Sequence, residues 1–420
     1  MSTPTFEWFP PPTILPSEFT PNTIPGIDAE STLSLQNILR DNHEKWHVFF
    51  NHIRFHNHIT HHVLAIWALG ANKKTMKPPA IKSPNDIVGE FYYSLGDDSI
   101  YYEAYKTFFR ENIKDKGIAT VLRSLSSPRL LMSAAGEKQP AMLKRLLSGL
   151  VHPIIHTGYG LAQASVHHDH LELLLPPSFF EPVDPLAEKL SANLTLHSEP
   201  KDIKPETHAF DILARVLKDD TLKFPDTSDP EFFAYTLRDN GKTLLGYTNQ
   251  WTLGPKDVNR KIEELQWMNT ILYAIVGCSS WKEHISSSFT STPSPKYMAV
   301  SLAWWVARGR PGFDIPKFFD TPPMLSTPNL ESNLPCPIRA VVHPDDHLCK
   351  SKSVCTLCDT LWAASRTVQP DFSQTKLKGA DKLDGTLFLR AAQLTAKHFE
   401  YEGKGEKYPA ATLWDFSKTM

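Results

Sequence analysis

Apolar residues recur at helical spacing along most of the chain, and alternating strand-type runs are scarce. Leu33, Leu35, Ile38 and Leu39 mark an apolar stripe that predicts a first helix from Ser31 onward. Residues 57–71 predict a second, ended by Gly70, since glycine readily takes the left-handed conformation that closes a helix. The same period predicts helices over 99–113, 141–150, 208–219, 258–277, 346–365 and 385–401. Seven prolines crowd residues 1–30, which excludes a helix or a central strand there and predicts an extended arm on the domain surface. Proline-rich connectors follow at 176–205 and 321–337, and no internal repeat shows at a fixed period. The expectation is an all-α or mainly α fold: an arm over 1–30 and one large helical domain over 31–420, with long proline-rich loops.

Composition narrows the class. The 420 residues carry 44 Lys and Arg against 46 Asp and Glu, a net charge of −2, which argues against a nucleic-acid or acidic-membrane surface. Apolar stretches such as 63–69 and 299–307 fall far short of a membrane span of roughly 20 residues. The N-terminus shows no basic and apolar signal pattern. The five cysteines have no secretory disulfide spacing, so a soluble, cytoplasmic protein is expected.

Histidine changes the picture. Of the 18 histidines, seven lie between His43 and His62, five between His152 and His170, and two more at His343 and His347. In the first cluster His43/His47, His52/His56 and His58/His62 are spaced i,i+4, the helical spacing at which two imidazoles can share a metal ion, and His61 stands i,i+3 from His58. For His43 and His52 a solvated polar face accounts for the spacing. His58 and His62 adjoin a strongly apolar helix, where an imidazole without a partner is costly to bury, and ligand or catalytic roles are expected. The second cluster repeats the spacing at His152 and His156, with Pro153 suited to a first helical turn. The glycines at 158 and 160 allow close backbone approach but lack the third glycine of a dinucleotide fingerprint. The HHDH run over 167–170 is open to two readings, a polar helix end or part of an HD-type metallohydrolase. In the third cluster His343, His347 and Lys350 share one helical face; Lys350 extends to solvent, stands beside the histidines as a neutral amine or, carbamylated, becomes an anionic oxygen donor. Cys355 and Cys358 form a lone C-x-x-C within an apolar helical pattern, which reads as packing rather than structural zinc.

Five segments in order, FHNHITHHVLAIWALGA (55–71), GLVHPIIHTGYG (149–160), KIEELQWMNTILYAIVG (261–277), VHPDDHLCK (342–350) and LDGTLFLRAAQLT (383–395), together resemble the questin oxidase-like family. The resemblance implies a mainly helical single domain that oxidises aromatic polyketides of the anthraquinone type, by Baeyer–Villiger-type insertion or ring cleavage, with dioxygen as co-substrate. It also implies non-haem iron, held by a subset of His58, His62, His152, His156, His343 and His347, with Lys350 as a carboxylated ligand. Histidines not bound to the metal would serve acid–base chemistry, His61 and His156 being the candidates. NADPH is admitted as a reductant, although no nucleotide motif stands in the chain. Tyr159, Trp267, Trp304 and Trp305 are the expected lining of a flat apolar substrate pocket. One departure falls in 296–309, where members often carry a histidine near the methionine and this chain has Ala299. The competing readings are an HD-type metallohydrolase and a helical protein that binds a polyphenol without turnover.

Overall fold

The computed structural model describes residues 8–12, 26–46, 57–77, 98–118, 120–121, 155–156, 207–229, 232–251, 258–276, 295–320, 341, 349 and 370–403. Every regular element among them is helical, and the fold is all-α. The chain divides into two compact units. The first takes Met1–Asp184 and Ile338–Lys350; the second takes Pro185–Pro337 and Ser351–Met420.

In the first unit, α1 (Ala29–Lys45) begins at a reciprocal cap. The Asp28 carboxylate accepts from the Ser31 N–H at 2.6 Å, and the Ser31 hydroxyl accepts from the Asp28 N–H at 2.9 Å, so two orphan amides of the first turn are satisfied. Ser31, Thr32, Leu35, Leu39 and Asn42 form the buried stripe that packs on α2 (Ile59–Ala68). Helix α2 is buried from Ile59 to Trp67. Its end is a Schellman turn: Gly70 takes φ 85, its N–H donates to the Trp67 carbonyl, and the Ala71 N–H donates to the Ile66 carbonyl. Gly26, at φ 119, lies so close to this turn that a Cβ there would meet the Gly70 oxygen at 2.1 Å. Helix α3 covers Asp98–Lys116. Upstream of α1, Phe9 is buried; its carbonyl accepts from the Gln36 side chain at 2.7 Å and Arg40 lies over its ring.

The second unit contains α4 (Ala209–Leu217), α5 (Phe232–Thr248), α6 (Val258–Val276), α7 (Pro295–Ala307), α8 (Ile315–Asp320), α9 (Pro370–Ser373), a 3-10 turn at Ala380–Lys382, and α10 (Thr386–Gly403). Helix α5 packs along α7, and α6 packs against α4, α7 and α10. Helix α6 is buried at Lys261 and from Glu263 to Ile275, so its polar residues must find partners inside. Glu264 is the hub. Its carboxylate accepts from the Ala209 N–H at 3.0 Å, the Trp251 indole N–H at 2.9 Å and the Lys261 ammonium at 3.1 Å. Further along, the Tyr273 hydroxyl bonds that of Thr395 on α10 at 2.6 Å.

Six of the expected helices match α1, α2, α3, α4, α6 and α10. Those expected over 141–150 and 346–365 lie outside the described residues. Helices α5 and α7 were not expected, for reasons taken up in the Discussion. No described helix is long and apolar enough to cross a membrane.

Candidate functional site

The first unit's residue ranges include all three histidine clusters, the third because the chain contributes Ile338–Lys350 to that unit. Among the described residues the site is built on the first turn of α2. A side-chain ladder fixes this turn to α1. Asn57 accepts from the Ile59 N–H at 2.9 Å and donates to Asn42 at 2.9 Å, and Asn42 donates to the Thr60 hydroxyl at 3.2 Å. His58 is the N-cap residue, with helical φ of −94 and ψ of 0 and no side-chain cap bond. It is half-buried; His61 and His62 are buried within the helix, and His156 is buried as well.

Three imidazoles are in ring contact. The His58 and His61 centroids lie 4.7 Å apart with planes tilted by 57°. His61 and His156 stack, 4.6 Å apart and 15° from parallel. His62 turns to another segment: its Nδ1 lies 3.3 Å from the sulfur of Cys349, which is fully buried. Desolvation disfavours the charged form of a buried imidazole, and the neutral form is the one that can ligate a metal or accept a proton.

Of the expected site residues, His58, His61, His62 and His156 are thus placed in one unit, with ring contacts linking His58, His61 and His156. His152, Tyr159, His343, His347 and Lys350 lie outside the described residues. Trp267, Trp304 and Trp305 belong to the second unit. Trp267 packs between Phe372 and Phe388; Trp304 stacks on Phe233; Trp305 is fully buried on Phe313, its indole donating to the Pro311 carbonyl at 3.0 Å. Ala299, where the resemblance leads one to expect a histidine nearby, is fully buried on α7 of the second unit. His43 sits on the polar side of α1 with Nε2 at 2.7 Å from the Arg110 guanidinium. Cys349 is a site neighbour that spacing does not reveal; it follows His347 by two positions in the sequence.

The donor chemistry suits a ferrous ion, since neutral imidazole binds iron well. The described rings do not by themselves close a metal site, and no group of three or more His, Cys, Asp or Glu side chains among the described residues could hold one. The reason is visible in the stack. Nitrogen lone pairs lie in the ring planes, so two nearly parallel rings direct them along separate sheets and not to one point.

The second unit holds its own buried histidine. The Nδ1 of His208 accepts from the Phe210 N–H at 3.0 Å and caps α4. Burial, with the Arg260 guanidinium beside it, lowers its pKa to about 4. This histidine is a helix cap.

Residues 55–292 match the model of the questin oxidase-like family. The chain belongs to the questin oxidase-like family. Among curated relatives, the oxidoreductase AflY of Aspergillus parasiticus is 31% identical over 153 residues, 32% of this chain and 30% of that protein. The Baeyer-Villiger monooxygenase AacuH of Aspergillus aculeatus is 28% identical over 180 residues, 36% of each chain. The questin oxidase of Aspergillus terreus is 26% identical over 139 residues, 30% of each chain. The similarity therefore spans 30–36% of these questin oxidase-like and Baeyer-Villiger proteins. The family match begins at Phe55, so it takes in the described histidines His58, His61, His62 and His156.

Proposed function

We propose that the chain is a non-haem iron oxygenase acting on an aromatic polyketide of the anthraquinone type, by Baeyer–Villiger-type oxidation or carbon–carbon ring cleavage. Family membership and the names of the relatives support the substrate class. The observation that carries the reading on this chain is the run of imidazoles in ring contact, the half-buried His58 and the buried His61 and His156.

Iron would be held by imidazoles drawn from His58, His62, His152, His156, His343 and His347, with a carboxylated Lys350 as oxygen donor. Bound there, the ion would supply Lewis acidity and a place for dioxygen. The protein's own task is proton handling. A polyphenol becomes electron-rich once a ring hydroxyl is deprotonated, and a buried neutral imidazole is a base suited to that step. His61 takes this role, because its ring has a second imidazole, His156, stacked against it.

The two outcomes differ in electron balance. Ring cleavage with both oxygen atoms retained in the product needs no reductant. Insertion of one oxygen atom reduces the other to water and draws two electrons from a donor such as NADPH. Turnover of an anthraquinone under labelled dioxygen separates them: two labelled atoms in the product indicate the first, one labelled atom and reductant consumption the second. The ligand assignment is tested by iron content. His343→Ala and Lys350→Ala are expected to lose iron relative to wild type, and full iron in both would refute it. His61→Ala is expected to keep iron and lose turnover by about 100-fold or more, the usual effect of removing a general base.

A further inference from the structure

His62 is an expected iron ligand whose environment is more specific than spacing could show. Its Nδ1 edge faces the Cys349 sulfur at 3.3 Å, both residues are buried, and they lie 287 positions apart. The Cys349 thiol, which is in no disulfide, is thus set against one edge of one ring. A neutral imidazole carries one N–H, and the partner of one nitrogen decides which nitrogen keeps the lone pair. A thiol donating S–H to Nδ1 would place the ring proton on Nε2. That nitrogen could then neither bind iron nor accept a proton. An Nδ1–H donating to sulfur has the opposite result and leaves the lone pair on Nε2. Histidine ligands generally need such a partner on the far nitrogen to fix tautomer and ring rotation.

We propose that Cys349 is a positioning residue for His62: its sulfur accepts the Nδ1–H and so keeps the Nε2 lone pair available. The proposal rests on the functional reading above for what Nε2 does, and on the Sγ···Nδ1 contact for how it is held. Since sulfur is a weak acceptor, the bond sets direction more than it adds stability. A hydroxyl of similar shape retains the acceptor; a methyl group does not.

The test is made on the full chain labelled with 15N-histidine, freed of metal by chelation, with His62 assigned by its loss in His62→Gln. Proton–nitrogen correlation through two bonds reads the tautomer directly. Wild type and Cys349→Ser should show His62 as the Nδ1–H form, and Cys349→Ala should lose that form. Ferrous affinity should fall by about 10- to 100-fold in Cys349→Ala, as for other outer partners of ligand histidines, and be largely restored in Cys349→Ser. An Nε2–H tautomer in wild type, or an unchanged tautomer in Cys349→Ala, overturns the proposal. If Cys349→Ala does not fold by circular dichroism, Cys349→Ser decides alone: loss of the Nδ1–H form overturns the proposal and retention supports it. Failure of wild type to bind iron or consume oxygen would refute the functional reading while leaving the tautomer result standing.

Discussion

Removing the Glu264 carboxylate tests whether α6 is held by one buried charge. In Glu264→Ala three donors lose their acceptor at once: the Ala209 amide, the Trp251 indole and the Lys261 ammonium. The side chains of Lys261 and Glu264 are 0% and 3% exposed, so solvent cannot replace the carboxylate without opening the core. Breaking a buried pair from one side costs about 3–5 kcal/mol, because it strands the other charge. The two neutral donors add about 1–3 kcal/mol each if they stay dry, though the losses overlap when water enters. The expected loss is therefore about 4 kcal/mol or more, read as a shift of the urea midpoint followed by circular dichroism. Lys261→Met with Glu264→Leu removes the stranded charge. It should be less destabilising than Glu264→Ala alone, by about 2 kcal/mol, because only the neutral donors remain unsatisfied. A loss below about 1 kcal/mol in Glu264→Ala, or a double variant no better than the single one, would refute the reasoning.

His208 gives a pH signature. With its pKa lowered from 6.5 to about 4, the unfolded chain binds the extra proton first as pH falls. Its contribution to stability is thus complete above pH 6.5 and is lost as pH drops toward 4, by about 3 kcal/mol in all. His208→Ser retains a capping oxygen for Phe210 and should flatten that part of the stability–pH curve, measured as urea midpoints at pH 7 and 4.5; an unchanged slope would exclude His208 as its source. Gly26→Ala should destabilise the first unit, since φ 119 strains any side chain and the new Cβ would meet the Gly70 oxygen. The expected cost is about 2 kcal/mol or more, and a variant melting at the wild-type temperature would show that the close approach is not maintained in solution.

Local sequence carried the amphipathic helices and little of what joins them. The start of α1 was placed at Ser31 from its apolar stripe, whereas the cap is Asp28, three residues earlier, where the side chains of Asp28 and Ser31 satisfy each other's backbone. Helix α5 carries Asn240-Gly241 and Gly246, which read as turn residues. Its tertiary setting overrides that: the Asn240 side chain bonds both backbone groups of Lys223, at 2.8 and 2.7 Å, and Gly241 lies on the buried stripe. Helix α7 is apolar almost all round, so no period marked it as a helix. The α6 segment was legible as a motif but not in meaning. Its Lys261 and Glu264 form a core ion pair that fastens Ala209 at the start of α4 and Trp251, a structural use of residues that sequence alone left without a role.

The site shows the same division. The i,i+4 rule selects His58 and His62 as a pair, but it holds only inside a helix, and His58 is the N-cap. The i,i+3 partner His61 is the ring it meets, while His62 faces Cys349. The stacking of His61 on His156 has no local signal at all, because the two residues are 95 positions apart in sequence (156 − 61). That stack also limits the chemistry. Two positive rings with centroids 4.6 Å apart would repel by about 4 kcal/mol at an effective dielectric of about 20. That penalty disfavours a second positive charge on the stacked pair. On the functional reading proposed above, a phenol giving its proton to His61 would charge the pair once, and that proton would have to leave before another could be taken.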